Sequence, residues 1–275
     1  MSATRCAGIF FLASWLLSAP ALAQGSSIRE RILSDPFAEF NKAVPIAAAT
    51  ARPFASTRGG EIAIDFCMYN SEWGETPDDD FLEHFQHIVQ QRVHMSKLLL
   101  ANGYPGTVFG GTLATIAARY LREVQRRRKD GLDLRDSTDI KAAILPLERQ
   151  LAERMNAYRE QFAPGLAQPT VWEKCGGDYV GYVKLKSVPE GGTIRLIREF
   201  YYKFCAATGI QPLSDGCDKW SVIASNRDVP GGIYYYLVSW PNGPTECDRI
   251  EFTGATADEN EKTITINQSG KGCAK

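Results

Sequence analysis

The chain has 275 residues, of which 44% are hydrophobic and 23% are charged, and its formal net charge is −1. This composition excludes a chain that is disordered overall, and the near-neutral net charge gives no electrostatic footprint for nucleic acid, so no nucleic-acid partner is expected. The length is sufficient for one large domain or two small ones.

The first 23 residues have the layout of a cleaved secretory signal. One basic residue, Arg5, precedes an apolar run at residues 9–17, and Pro20 stands before the small-residue cleavage site at residues 21–23. The apolar run is too short to span a bilayer permanently. We therefore expect a periplasmic or secreted protein that has no transmembrane segment once the signal is removed.

The cysteines predict a disulfide framework. Cleavage of the signal removes Cys6 and leaves an even set. The remaining cysteines are Cys67, Cys175, Cys205, Cys217, Cys247 and Cys273. In an oxidising compartment an even number of cysteines is most simply interpreted as paired. The chain has no Cys-x-x-Cys motif, which argues against a redox-active or nucleophilic thiol.

Three pairings are expected. Cys205 and Cys217 bracket a short loop that contains glycine and proline, so the Cys205–Cys217 bridge is expected to be local. Cys67 stands alone in the N-terminal half, and Cys67–Cys175 is the first pairing considered for it. Cys247–Cys273 would then close the C-terminal end. The connectivity of these last four cysteines stays open at this point.

Composition divides the mature chain into three zones. Residues 24–60 are rich in Ala, Ser, Thr and Pro and lack a clear period, so we expect a flexible leader or linker with at most a short helix at residues 28–33. Residues 61–165 predict a helical domain in which one short strand comes first. Residues 170–275 predict a β-rich domain.

Three helices are predicted in the helical domain. The first begins at Thr76-Pro77, where a capping residue and a proline precede three acids, and it ends before an Asn-Gly pair. The second covers residues 107–129 and ends in a basic turn that a glycine follows. The third covers residues 136–162 and carries the clearest amphipathic stripe of the chain, which Pro146 is expected to kink or interrupt.

The β-rich domain shows the two-residue alternation of strands. Strands are predicted at residues 179–188, 193–199, 220–225, 233–240, 246–253 and 262–267. Turns rich in proline and glycine separate several of them, including the hairpin signal Asn242-Gly243. The expected fold is therefore α+β: about three helices followed by a small antiparallel β-sandwich or barrel that disulfides stabilise.

One part of the β-rich domain resembles a known family. Residues 182–197 read Tyr-Val-Lys-Leu-Lys-Ser-Val-Pro-Glu-Gly-Gly-Thr-Ile-Arg-Leu-Ile, and residues 230–236 read Pro-Gly-Gly-Ile-Tyr-Tyr-Tyr. The Ser-x-Pro-x-Gly turn between two strands and the later Pro-Gly-x strand resemble PEGA-type β-modules over about residues 180–253. The resemblance implies an exported β-sandwich that contacts a partner and has no catalytic centre. The insert at residues 200–217 departs from the family, which has a short glycine turn there.

All three histidines fall on the first predicted helix. His84 and His87 lie on one side of it together with Asp80, and His94 falls within the same arc. Imidazoles three residues apart can reach one ion, so Asp80, His84 and His87 are candidate ligands of a divalent metal. The alternative is a solvated polar flank, since the spacing is not that of a His-Glu-x-x-His zinc motif.

The strands of the β-rich domain are rich in aromatic residues. Trp220, Tyr234, Tyr236 and Trp240 are the candidates for a recognition surface, because flat rings bury a large area at a small entropic cost. The alternative is that these rings form the core, because strands bury alternate side chains.

The sequence contains neither a Gly-x-Ser-x-Gly motif nor a phosphate-binding P-loop. The favoured interpretation is therefore an exported, non-enzymatic protein of the cell envelope that needs no cofactor and binds a protein or glycan partner through its aromatic-rich β-domain. The alternative is a metal-assisted hydrolase with a site between the helical and β-rich domains, on the histidine-bearing helix.

Overall fold

The structure is a computed structural model that describes residues 26–51, 60–66, 76–173, 182–219, 221–223, 228–252, 263–270 and 273. The helices in these ranges are α1 (Ile28–Ser34), α2 (Pro36–Thr50), α3 (Pro77–Ala101), α4 (Gly106–Lys129), α5 (Ser137–Phe162) and α6 (Glu199–Ala207). The strands are β1 (Glu61–Ile64), β2 (Gln168–Val171), β3 (Tyr182–Val188), β4 (Thr193–Arg198), β5 (Ser221–Ile223), β6 (Asp228–Pro230), β7 (Gly232–Ser239), β8 (Thr245–Phe252) and β9 (Thr263–Asn267). The fold is α+β, as the sequence predicts. Within these ranges no helix has the length and apolar character needed to cross a bilayer.

Two helices form where the sequence predicts a flexible leader, and each begins at a cap. Ser27 accepts a hydrogen bond from the Glu30 amide, while the Glu30 carboxylate accepts one from the Ser27 amide, which is a capping box. Asp35 caps α2, and Pro36 occupies its first helical position. These signals are present in the sequence, but they are short and no long apolar period accompanies them.

Packing holds these two helices to the rest of the protein. Ile28, Ile32 and Phe40 are buried in the same hydrophobic core as the later helices. The Ile28 amide also donates to the Gly216 carbonyl at 2.9 Å. Residues 28–50 are therefore part of the folded body, and the prediction of a flexible leader is wrong for them.

Helices α3, α4 and α5 form the predicted helical body. α3 begins after the Thr76 cap, and α4 ends in a basic turn, as the sequence indicates. α5 runs as one helix through Pro146. Its fully buried apolar side chains include Ile140, Ile144, Leu151 and Met155. These residues belong to the predicted amphipathic stripe, which therefore faces the core.

The strands form three sheets. β1 and β2 make a parallel pair, and the larger sheets have the strand orders β6-β3-β9 and β5-β4-β7-β8. Both larger sheets contribute side chains to one small hydrophobic core. The four-stranded sheet is antiparallel throughout, whereas β3 and β9 pair in parallel. The prediction of a purely antiparallel module is therefore wrong for this pair, because β3 and β9 lie far apart in the chain and no hairpin constrains their direction.

The insert at residues 200–217 packs between the helices and the four-stranded sheet. Tyr201 and Phe204 on α6 are buried in the helical core, and the Tyr201 hydroxyl donates to the Leu82 carbonyl of α3 at 2.7 Å. A disulfide between Cys205 and Cys217 closes the insert. The two predicted domains therefore share a core at this insert.

Two of the three predicted disulfides are formed. These are Cys205–Cys217 and Cys247–Cys273. The third predicted pairing, Cys67–Cys175, lies outside the described residues. The short loop between Cys205 and Cys217 therefore correctly predicts the bridge that joins α6 to the end of the insert.

Replacing both Cys205 and Cys217 by alanine is expected to lower the free energy of unfolding by about 2–3 kcal/mol, because the bridge restricts the unfolded chain. Urea unfolding of the oxidised protein measures the loss. The matched control replaces both Cys247 and Cys273 by alanine. We expect the first variant to lose more, although its loop is shorter, because both of its sulfurs are fully buried. An unchanged urea midpoint would contradict the stabilising role of the bridge.

Candidate functional site

The predicted metal ligands are placed inside the protein. The His84 ring is buried, with Nδ1 3.2 Å from the Tyr120 hydroxyl and Nε2 2.7 Å from the Leu134 carbonyl oxygen. Burial lowers the pKa of His84, and so does the charge of Arg127. Both ring nitrogens of His84 are therefore engaged with protein groups, and the ring is held as part of the core.

The other two predicted ligands, His87 and Asp80, also interact with protein groups. Burial, and next the neighbouring His84, lower the pKa of His87 to about 4. Asp80 accepts from Arg135 at 3.2 Å. Among the residues that the structure describes, no three His, Cys, Asp or Glu side chains are grouped to hold a metal ion. In the described residues Asp80, His84 and His87 are therefore not arranged as the ligands of one ion, because protein groups engage both ring nitrogens of His84 and Arg135 pairs with Asp80.

The predicted aromatic surface is largely core. Trp240 is buried and donates from Nε1 to the Pro189 carbonyl at 2.9 Å, and the buried Tyr234 donates to the Pro230 carbonyl at 3.0 Å. Tyr236 is partly buried against the same core. Trp220 lies outside the described residues.

This correction follows from the strand period. Tyr234, Tyr236 and Trp240 stand at even positions of one strand run, so they share the face that packs on the second sheet. Tyr235 belongs to the opposite face, where its ring stacks on Tyr202 of α6 at a centroid distance of 3.7 Å. The sequence pattern indicated two faces, but it did not show which one is covered.

A cleft of about 560 Å³ lies between the helices and the four-stranded sheet. One wall is a polar stripe of α3 that consists of Gln86, Gln90, Gln91, His94 and Lys97. The end of α2 forms a second wall. The third wall combines the start of α6 with the ends of neighbouring strands. The cleft therefore depends on the packing of α6 against the helices, because α6 supplies lining residues opposite α3.

Four basic side chains line the cleft against a single carboxylate. The basic residues are Lys97, Arg198, Lys203 and Arg249, and the acid is Glu199. Lys97 donates to the Ala51 carbonyl, and the Arg198 guanidinium lies 5.5 Å from the centre of the Tyr234 ring. We call this feature the basic cleft.

Glu199 organises two of these cations. Its Oε1 atom lies 2.9 Å from Lys203 Nζ and 3.0 Å from Arg249 Nε. Burial raises the pKa of this carboxyl, but hydrogen bonds and charges from Lys203 and Arg249 outweigh burial and lower it below its ordinary value. Glu199 is therefore ionised and holds both cations at the cleft. His94 is neutral near pH 7, because burial lowers its pKa.

Three charged side chains are buried together in the helical core. Lys141 Nζ lies 3.1 Å from Asp65 Oδ1 and 2.7 Å from Glu148 Oε2, and Glu148 Oε1 accepts from the Phe66 amide at 2.7 Å. Lys141, Asp65 and Glu148 are 2%, 4% and 0% exposed. We call these three residues the buried charged cluster. None of the three lines the basic cleft, so we interpret the cluster as structural.

Comparison with other proteins does not assign a ligand or a function to the cleft. No protein-family model, curated protein or solved structure matches this chain. The resemblance of residues 180–253 to PEGA-type modules is therefore still a prediction. The basic cleft is argued from the geometry of its own residues.

Proposed function

We propose that this protein is exported and acts as a non-enzymatic binding protein of the cell envelope, which holds a small anionic ligand in the basic cleft. The observation that carries this proposal is the concentration of four basic side chains around one cleft in a chain whose formal net charge is −1. Such a local excess attracts anions and forms charge-assisted hydrogen bonds with them.

The size of the cleft supports a small ligand. Its volume of about 560 Å³ falls within the range of about 300–1,000 Å³ that is usual for small-molecule sites. A concave site of this size is also unlike the extended surface that a folded partner would cover. The cleft thus replaces the aromatic strand face as the proposed site of recognition.

Export and architecture are part of the same proposal. The signal-like first 23 residues support export, and so do the two disulfides, which persist in oxidising compartments. The common core of the two larger sheets supports a small β-sandwich of the kind that the PEGA resemblance implies. In this arrangement the sandwich serves as a scaffold that presents Arg198 and Arg249 to the cleft.

Replacing Arg249 by glutamine is expected to weaken the binding of citrate at least tenfold. The variant removes a cation from the cleft and leaves the Glu199 carboxylate less neutralised, so the cleft attracts anions less strongly. Calorimetric titration of citrate at low salt measures the affinity. The matched control is Arg126→Gln, because Arg126 also pairs with carboxylates but lies on α4 outside the cleft. Equal citrate affinity in Arg249→Gln and wild type would contradict the proposal.

A further inference from the structure

Neutral amides line the helical wall of the basic cleft. Gln86, Gln90, His94 and Lys97 follow one another at steps of four, four and three along α3, so they form one row on a single helix face. An amide offers both a donor and an acceptor, whereas an inorganic anion needs donors alone. The row therefore provides recognition groups that a bare anion does not use.

Gln86 is the most deeply buried polar side chain of the cleft. It is 3% exposed, and its Oε1 atom accepts no hydrogen bond from the described residues. Buried amide oxygens are normally paired, and an acceptor without a donor destabilises the fold. A ligand that carries hydroxyl groups supplies such donors through its O–H bonds. The terminal amide of Gln86 can also rotate, so either its oxygen or its nitrogen can face the cleft.

Apolar groups stand beside these polar ones. Val93 of α3, Phe200 of α6 and Ile233 of β7 line the same cleft. Such surfaces pack against the C–H faces of a sugar ring, while the amides reach its hydroxyls and the cations reach an acidic substituent. A purely charged ligand would leave this apolar lining without a partner.

We infer that the ligand of the basic cleft is an acidic saccharide, that is, a small sugar that carries a carboxylate. The α3 amides recognise its hydroxyl groups, and Arg198, Lys203 and Arg249 recognise its carboxylate. This inference rests on the proposed anion-binding function and names the chemical class of the ligand. The cleft volume of about 560 Å³ limits the bound part to a few sugar rings.

The test compares three probes on the full mature protein: digalacturonate, lactose and citrate. Digalacturonate carries hydroxyls and carboxylates, lactose carries hydroxyls alone, and citrate carries carboxylates with a single hydroxyl. We expect digalacturonate to bind at least tenfold more tightly than either of the other probes, as measured by calorimetric titration at low salt.

The variant Gln86→Met isolates the contribution of the amide. It keeps the length of the side chain and removes the polar atoms, so we expect a loss of at least tenfold in digalacturonate affinity. The loss in citrate affinity should be smaller, because citrate offers a single hydroxyl and binds mainly through its carboxylates. The control Gln125→Met changes a glutamine of α4 that lies outside the cleft and is expected to change neither.

Unfolding without ligand separates a binding role from a structural one. Gln86→Met is expected to be at least as stable as wild type, since it removes a buried acceptor that no described residue satisfies. If citrate binds as tightly as digalacturonate and Gln86→Met affects neither, the saccharide inference is overturned and anion binding stands. If neither anion binds, both the inference and the proposed function are overturned.

Discussion

Replacing Lys141 by methionine is expected to lower the free energy of unfolding by about 3–5 kcal/mol, the largest loss we expect from a single substitution in this chain. The ammonium group lies within 3.1 Å of Asp65 and 2.7 Å of Glu148, and all three side chains are withdrawn from solvent. Without it, two carboxylates stay buried with no opposing charge, and protonation only partly relieves the penalty. Urea unfolding at pH 7 measures the loss.

Two further variants show whether charge causes this loss. A triple variant that adds Asp65→Asn and Glu148→Gln to Lys141→Met removes both orphaned charges, so most of the stability should return. The glutamine keeps an acceptor for the Phe66 amide. The surface control Arg149→Gln breaks an exposed pair with Glu173 and should cost no more than about 1 kcal/mol. If Lys141→Met is as mild as this control, the buried charged cluster does not hold the core together.

The cluster shows why sequence patterns miss buried charge. Lys141 and Glu148 are seven residues apart on α5 and lie beside the buried Ile144. In the sequence such residues mark the polar border of an amphipathic helix. Their burial depends on Asp65, which is 76 positions from Lys141 in the chain. No local period contains that contact.

Local signals did predict much of the helical body. The Thr76 cap, the proline after it and the basic end of α4 each act within one turn of helix, so the sequence alone places those helix ends. The capping box of Ser27 is equally local. The sequence still does not predict folded helices there, because the alanine-rich stretch after the box has no clear period and α2 is stabilised by packing instead.

The candidate site was less predictable than the fold. Helical geometry correctly groups His84 and His87 on one side of α3, but it does not show whether that side faces solvent or Tyr120. The cations of the basic cleft are spread along the chain from Lys97 to Arg249, and the elements that carry them come together only in the folded protein. Composition can show that the chain is nearly neutral, but it cannot show where the charges gather.

Lowering the pH from 7 to 4 is expected to destabilise the protein by about 3 kcal/mol through His87 alone. Burial, and then the neighbouring His84, lower the pKa of His87 from 6.5 to about 4 in the folded state. Above pH 6.5 both states are neutral and the group has no effect. Between pH 6.5 and 4 the unfolded chain binds a proton at His87 and the folded protein does not, so the free energy of unfolding decreases as the pH is lowered.

The variant His87→Gln isolates this contribution, because it removes the titrating ring and keeps an amide donor for the Phe66 backbone that His87 contacts. Other buried groups titrate in both proteins: the pKa of His84 is lowered by burial, and that of Glu148 is raised by burial. Protonation of Glu148 favours the folded state, which opposes the effect of the histidines. These contributions cancel when the urea stabilities of wild type and variant are compared at pH 7 and pH 4. The variant should therefore lose about 3 kcal/mol less than wild type. An equal loss in both proteins would mean that His87 takes up a proton in the folded core as readily as in the unfolded chain. In that case the ring that packs against Tyr120 would not be held neutral by burial.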